Sequence, residues 1–402
     1  MPRAGWRKPS TDQRLSDHIS IGVLTRVYPP ELVDQVIGAA DRVERRHRLL
    51  PARVTAYYVL AMALFSQASY EEVMRLLVEG LSWQEGWRQR WQVPTKAAIF
   101  KARQRLGAEP LRALYECTAR PLGSAATPGV WLRSWRLMSL DGTCLDVADT
   151  AANDAAFSRP GTGRGEGRGA FPQLRMVGLC EVGTHAICDA ALGPYSLGEK
   201  ALAQEVLRSL GPGMLCIADR NFYSGLLWGE AAATGAALLW RAKSDLTLTR
   251  QRGFADGSWL ATTGGREARR HGYSHLVRVI DYRLEDADRS GSDDSYRLLT
   301  TVLDPDSASA TELAATYRQR WELECALAEL KTHQRGPRAV LRSKQPDGVL
   351  QEAYAHLCVH YAIRTLMHEA ALAAELDPDR LSFTRSLRVA RRTTRSHPGF
   401  SP

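Results

Sequence analysis

Met214-Leu-Cys-Ile-Ala-Asp219 is five apolar residues without a polar break, closed by an aspartate. A run that never alternates suits a strand covered on both faces, not one with a wet side. Its neighbours agree. Residues 137–145 and 174–182 read as strands, and a tight Gly183-Thr184 turn leads into a third over 185–192. Helices are predicted over 200–210 and 224–234. The order β-β-β-α-β-α predicts an α/β fold, a mixed sheet with helices on its faces. Asp219 then ends the central strand, at the carboxyl edge where open α/β sheets place ligands. Asp141 lies within the first strand, followed by Gly142.

The flanks read differently. Residues 12–125 are predicted helical, with Leu24, Val27, Leu32, Val36 and Ile37 at helical spacing and prolines at plausible helix starts. The longest apolar run, residues 54–66, is about 13 residues against the roughly 20 a membrane helix needs, so no membrane span is expected. Thr95 is placed to cap a helix that stops at Gly107 and carries Lys96, Lys101, Arg103 and Arg105. That helix is either a recognition element entering a DNA groove or a solvated basic face. Trp83, Trp87 and Trp91, spaced by four, read as packing. Residues 236–300 predict a small β-rich insertion, 311–333 one uninterrupted helix, and 348–376 another before an Arg-rich tail.

With 44% hydrophobic and 24% charged residues, the composition is globular and excludes a disordered chain. Seven cysteines without a Cys-x-x-Cys pair indicate free thiols in the cytoplasm, not a disulfide or zinc scaffold. No apolar leader follows Met1, so no secretory signal is expected. The net charge of +9 is uneven: residues 1–125 carry +7, residues 376–402 carry +4, and the middle carries −2. Basic ends around an acid-rich centre suit a protein that grips a polyanion at its flanks and uses carboxylates centrally.

The predicted helix over 311–333 carries an ordered stripe. At about 100° per residue, Tyr317, Arg320, Glu324 and Lys331 fall within an arc of about 60° along the rim of the apolar face. A carboxylate there can join carboxylates from adjacent strands while Arg and Lys hold phosphate beside it. The alternative is an ordinary salt-bridged surface, with Arg320 and Glu324 paired at i, i+4. Converging carboxylates call for a divalent metal, and two Mg²⁺ ions about 4 Å apart can serve both the attacking and the leaving oxygen of phosphoryl transfer.

The spacing Tyr317-x2-Arg320-x3-Glu324-x6-Lys331 resembles the signature of the insertion-sequence-four family of bacterial DDE transposases. The resemblance extends to Leu140-Asp-Gly-Thr-Cys-Leu-Asp146, Asp219-Arg-Asn-Phe-Tyr223 and Leu341-Arg-Ser-Lys-Gln-Pro-Asp-Gly348, and residues 15–81 are similar to the family's N-terminal domain. Asn221 departs from the glycine common there. The resemblance implies an RNase H-like core whose catalytic metal ligands are Asp141, Asp219 and Glu324. It implies that Tyr317, Arg320 and Lys331 grip phosphates near the cleaved end. Mg²⁺, with Mn²⁺ as a substitute, is the implied cofactor. Double-stranded DNA, as element ends and target, is the implied partner, bound by a homodimer on paired ends with the C-terminal helix as a contact. Several family members pass through a DNA hairpin stabilised by an aromatic residue; Trp240 and Trp259 are candidates without a motif to assign the role, and core packing is the favoured reading for each.

The expected domains are a helical DNA-binding part (1–128), a catalytic part (129–340, with its insertion at about 240–297) and a basic helical segment (341–402). The expected function is end binding, metal-dependent cleavage and strand transfer, at the nucleoid. A catalytically silent DNA-binding copy and a structure-selective nuclease are the competing readings. Other sites are weaker. His356, His360 and His368 share a helix face without a further ligand motif. The Gly/Arg-rich stretch at 159–169 lacks the Lys-Ser/Thr of a phosphate-binding loop and reads as a loop in which Arg164 and Arg168 touch phosphate.

Overall fold

The computed structural model describes residues 22–44, 46, 48, 50–82, 94–161, 169–243, 246–264, 270–283 and 295–396. The helical start comprises α1 (Val23–Val27), α2 (Pro30–Ala39), α3 (Ala52–Leu64), α4 (Tyr70–Ser82), α5 (Lys96–Leu106) and α6 (Glu109–Thr118). Helix α3 is buried from Val54 to Leu64, so the longest apolar run is a core helix. No helix among the described residues is long and apolar enough to cross a membrane.

The sheet begins with β1 (Trp131–Leu132), β2 (Trp135–Asp146), α7 (Ala151–Phe157), β3 (Gln173–Glu181) and β4 (Ile187–Pro194). There follow α8 (Glu199–Val206), β5 (Met214–Ala218), α9 (Gly225–Ala233) and β6 (Ala237–Ala242). The sheet runs β4-β3-β2-β5-β6, with β2–β5 and β5–β6 parallel and the β2–β3–β4 meander antiparallel. The apolar run at 214–218 is thus a central strand, as its lack of alternation requires. In the turn between β3 and β4, Gly183 has φ +84°, and a Cβ there would lie 2.7 Å from the Gly129 carbonyl carbon. Only glycine fits that position.

The stretch expected as a β-rich insertion supplies β7 (Arg250–Gly253), β8 (Trp259–Thr263), β9 (His275–Arg283) and β10 (Ser295–Thr300). These strands do not form a sheet of their own. β10 pairs with β6, and β9, β8 and β7 follow outward, giving one ten-stranded sheet among the described residues. The result is an RNase H-like mixed sheet extended at one edge.

The remaining helices are α10 (Ala310–Arg318), α11 (Trp321–Ala328), a π-helical turn (Glu329–Gln334), α12 (Pro346–Ala373) and α13 (Phe383–Ser396). The N- and C-terminal helices share one hydrophobic cluster that runs from Leu24 to Ala390 and includes Leu145, Leu174 and Met176 of the sheet. A second cluster, with α8 and α9, covers the opposite face.

The uninterrupted helix expected over 311–333 is not one helix. It is broken at Gln319-Arg320 and widens into the π turn. The widening has a tertiary cause. Glu329 is held by Arg364 of α12 and the Gln334 amide donates to the His356 carbonyl (3.0 Å), so both ends of this stretch are drawn inward. Five residues apart, they would diverge on an α-helix, whereas i→i+5 bonding brings them toward one side.

Candidate active site

Alternation along the strands decides which side chains meet. Leu137 on β2 and Leu215 and Ile217 on β5 belong to a cluster with Leu313 and Tyr317 of α10, while Met138, Leu140, Cys216 and Ala218 face the other way. By period two, Asp141 and Asp219 project to the side of α10 and α11. The parallel register pairs Leu140 with Ala218, so the next position on each strand is Asp141 and Asp219. Neighbouring strands lie about 4.8 Å apart, which sets the two aspartates side by side.

Helix α11 packs on β2 and β3 and carries Glu324 to the same place. Arg320, in the break before α11, donates from Nη2 to Glu324 Oε1 at 2.6 Å, and its Nη1 lies 3.5 Å from Asp141 Oδ2. The Gly142 N–H donates to Asp141 Oδ1 at 2.7 Å. Burial lifts the Asp141 pKa, helped by Glu324 and Asp219 and opposed by the Gly142 N–H and Arg320, and leaves it at about 6. Three carboxylates against one guanidinium leave the site short of positive charge. A hard divalent cation fits such an all-oxygen donor set.

The other expected phosphate contacts differ in access. Lys331 is exposed in the π turn. Tyr317 is 5% exposed, and its hydroxyl finds no hydrogen-bond partner among the described residues. Burial and then the nearby Asp219 push its pKa up. In this conformation Tyr317 is therefore a packing residue beneath the site.

Helix α5 has the expected caps: the Thr95 side chain accepts from Ala98 N–H (3.3 Å), and Gly107 closes it with φ 72°. Its basic residues divide. Lys96 and Lys101 are exposed, whereas Arg105 bonds Glu44 (3.2 Å). Arg103, expected to contact DNA, is 6% exposed and cannot do so here. Its guanidinium donates to Gln351 (2.7 Å) and Ser343 (2.8 Å) and lies 3.4 Å from Glu352, locking α5 to α12.

Of the two candidate tryptophans, Trp240 is fully buried edge-on against Trp228, and Trp259 is half-buried and donates to Asp281 (3.3 Å). Trp321, which directly follows Arg320 at the start of α11, is 62% accessible, and the sequence reading passed over it. Its signal was a large apolar residue on the outer side of an otherwise amphipathic helix. His356, His360 and His368 bind Gln334, Glu329 and Thr127, not one another. Trp83, Trp87, Trp91, Arg164 and Arg168 lie outside the described residues. The Leu341–Gly348 motif sits beside the end of β2, through Leu341 N–H to the Asp146 carbonyl (2.8 Å) and Asn153 to the Ser343 carbonyl (3.0 Å).

An RNase H-like sheet that sets Asp141, within β2, beside Asp219, just after β5, with Glu324 of α11 close by, fits a class of phosphoryl-transfer proteins, and the family models agree. Residues 136–361 match the transposase DDE domain family, and residues 18–116 match the insertion element 4 transposase N-terminal family. The chain belongs to the DDE transposases of the insertion-sequence-four type. It is 28% identical to the transposase InsG for insertion sequence element IS4 of Escherichia coli (strain K12), over 93% of this chain and 83% of that protein. InsZ from the same strain is 23% identical over 54% of this chain and 66% of its own length. Among solved structures, the piggyBac transposase synaptic complex with hairpin DNA has a TM-score of 0.48 at 11% identity, covering 93% of this chain and 79% of that one.

Proposed function

We propose that this transposase cuts double-stranded DNA at the ends of its insertion element and joins the freed ends to target DNA. The observation that carries the reading is the level placement of Asp141 and Asp219 with Arg320 joining Asp141 to Glu324. Asp141, Asp219 and Glu324 would hold divalent metal, Mg²⁺ with Mn²⁺ as a substitute, as a pair of ions. Metal held there supplies electrophilic assistance to the attacking and leaving oxygens of phosphoryl transfer.

The chain's own residues do the rest. Arg320 offers guanidinium donors to the phosphate at the cleaved end, and exposed Lys331 offers a point charge beside it. Lys96 and Lys101 present charge to the flanking duplex. Trp321 offers an indole face to a base unstacked at the cut. The working form is a homodimer on paired ends, with α13 as a contact, acting at the nucleoid.

The experiment is a joining assay: labelled element-end duplex, a target plasmid, the purified chain and Mg²⁺. Joined product is expected. Nicking without joining would favour a structure-selective nuclease, and binding without either would favour a silent copy.

A further inference from the structure

Glu322 and Glu324 leave α11 on opposite flanks of its buried stripe. Leu323, Ala326 and Leu327 are buried. At about 100° per residue, their mean direction lies roughly 90° from Glu322 on one side and roughly 110° from Glu324 on the other. The helix therefore rests on the sheet with one carboxylate at each rim. The Glu324 rim reaches Asp141 through Arg320.

The Glu322 rim meets a buried chain of polar groups. His185, in the turn that Gly183 permits, hydrogen-bonds Glu322 through Nε2, and the same nitrogen lies 3.3 Å from Asp379. Behind it, the buried Arg364 guanidinium donates to His185 Nδ1 and to Glu329, with Nε to Oε2 at 2.9 Å. His360 also reaches Glu329, at 3.2 Å. His185 Nδ1 thus meets the Arg364 guanidinium, with Glu329 Oε1 3.5 Å away, and Nε2 meets Glu322 and Asp379. With both ring nitrogens engaged, His185, Glu322 and Asp379 serve as a hydrogen-bonded clamp.

Helix α11 is eight residues long, bounded by the break at Gln319-Arg320 and by the π turn. Its own backbone bonds do not fix its roll on the sheet. Glu322 is near its start and Glu329 follows its end, and both are tied to Arg364, Glu322 by way of His185. A roll of about 20° moves a carboxylate some 5–6 Å from the axis by about 2 Å. Metal–ligand distances tolerate roughly 0.2 Å.

We propose that the relay Glu322–His185–Arg364–Glu329 fixes the roll of α11 and thereby holds Glu324 against Asp141 and Asp219. His185 and Arg364 are then positioning residues for the third carboxylate, which they do not touch. The proposal rests on Glu324 being a metal ligand.

The test compares full-length parent, His185→Ala, His185→Gln and Glu324→Gln. Two quantities are measured: Mn²⁺ binding by electron paramagnetic resonance, and the Mn²⁺ concentration for half-maximal nicking. Element-end affinity and thermal midpoint are followed alongside. His185→Ala is expected to weaken both metal readouts about tenfold, the lower end of what losing support for a metal ligand costs, with end affinity unchanged. His185→Gln, which keeps an N–H near the Nε2 position, restores most of the loss. If His185→Ala fails to fold, Glu322→Ala at its half-buried site is read the same way. A folded variant whose metal readouts stay within about twofold of the parent overturns the proposal. So does a loss in His185→Gln equal to that in His185→Ala. Should Glu324→Gln leave Mn²⁺ binding intact, the ligand assignment itself fails and the positioning role falls with it.

Discussion

Arg320 and Glu324 are joined by a 2.6 Å hydrogen bond, and the same guanidinium lies 3.5 Å from Asp141. An isolated i, i+4 pair on a solvated helix would contribute only about 0.2–0.5 kcal/mol. Here the pair also ties helix to strand. Arg320 therefore makes the i, i+4 pair on its own helix and also reaches the carboxylate on β2.

Removing that cation has an electrostatic consequence. Asp141, already lifted to about 6 by burial with Arg320 opposing, moves higher still in Arg320→Ala. Nicking needs this carboxylate ionised, so the rise of activity with pH shifts to higher pH in the variant. Binding to element ends weakens, and the slope of log affinity against log salt falls by about one. An unchanged slope in a salt titration contradicts the phosphate role.

Arg103 and Lys101 lie two residues apart and are expected to behave oppositely. Arg103→Ala strands Glu352 in the interior and costs about 3–5 kcal/mol in urea unfolding, while the salt slope of DNA binding is unchanged. Lys101→Ala leaves stability near the parent and lowers the slope. A reversed pattern would return Arg103 to the DNA surface.

Acid stability has a local source in Asp256. Burial raises its pKa, but hydrogen bonds from Ser258 and the Ala310 N–H, together with the Arg278 charge, hold it down at about 2. A carboxylate depressed in the folded state contributes stability that is present above its ordinary value of about 3.9. That contribution is lost as pH falls through about 2. Thermal unfolding between these limits should therefore fall more steeply for the parent than for Asp256→Asn, which is less stable at neutral pH. Parallel curves contradict this assignment.

Trp321 is 62% exposed, so Trp321→Ala should unfold like the parent. Its effect is expected in affinity for an end carrying an unpaired base, at about 1–3 kcal/mol, and not for a fully paired end. Equal losses on both duplexes contradict stacking.

The sheet was readable because it rests on local patterns: the unalternating run at 214–218 needed only strand period. Asp141 and Asp219 were singled out by the motifs around them, and their level placement came only from the register of β2 and β5. The broken helix was not readable. Residues 319–334 contain neither Gly nor Pro, and the π turn is set by Arg364 and His356, more than twenty residues away in sequence. Arg103 was misread for the same reason. A basic residue among basic residues looks solvated until Gln351, Ser343 and Glu352 come from the far end of the chain to surround it. The stretch 236–300 showed its strands but not that β10 would continue the main sheet through β6.

The most direct measurement places the parent and Glu324→Gln on labelled duplex bearing the DNA ends that flank the gene, with and without Mg²⁺. The expected result is site-specific nicking by the parent alone and only with metal, at equal end affinity for both proteins. Nicking that survives in Glu324→Gln, or that proceeds for the parent without metal, would contradict the carboxylate site.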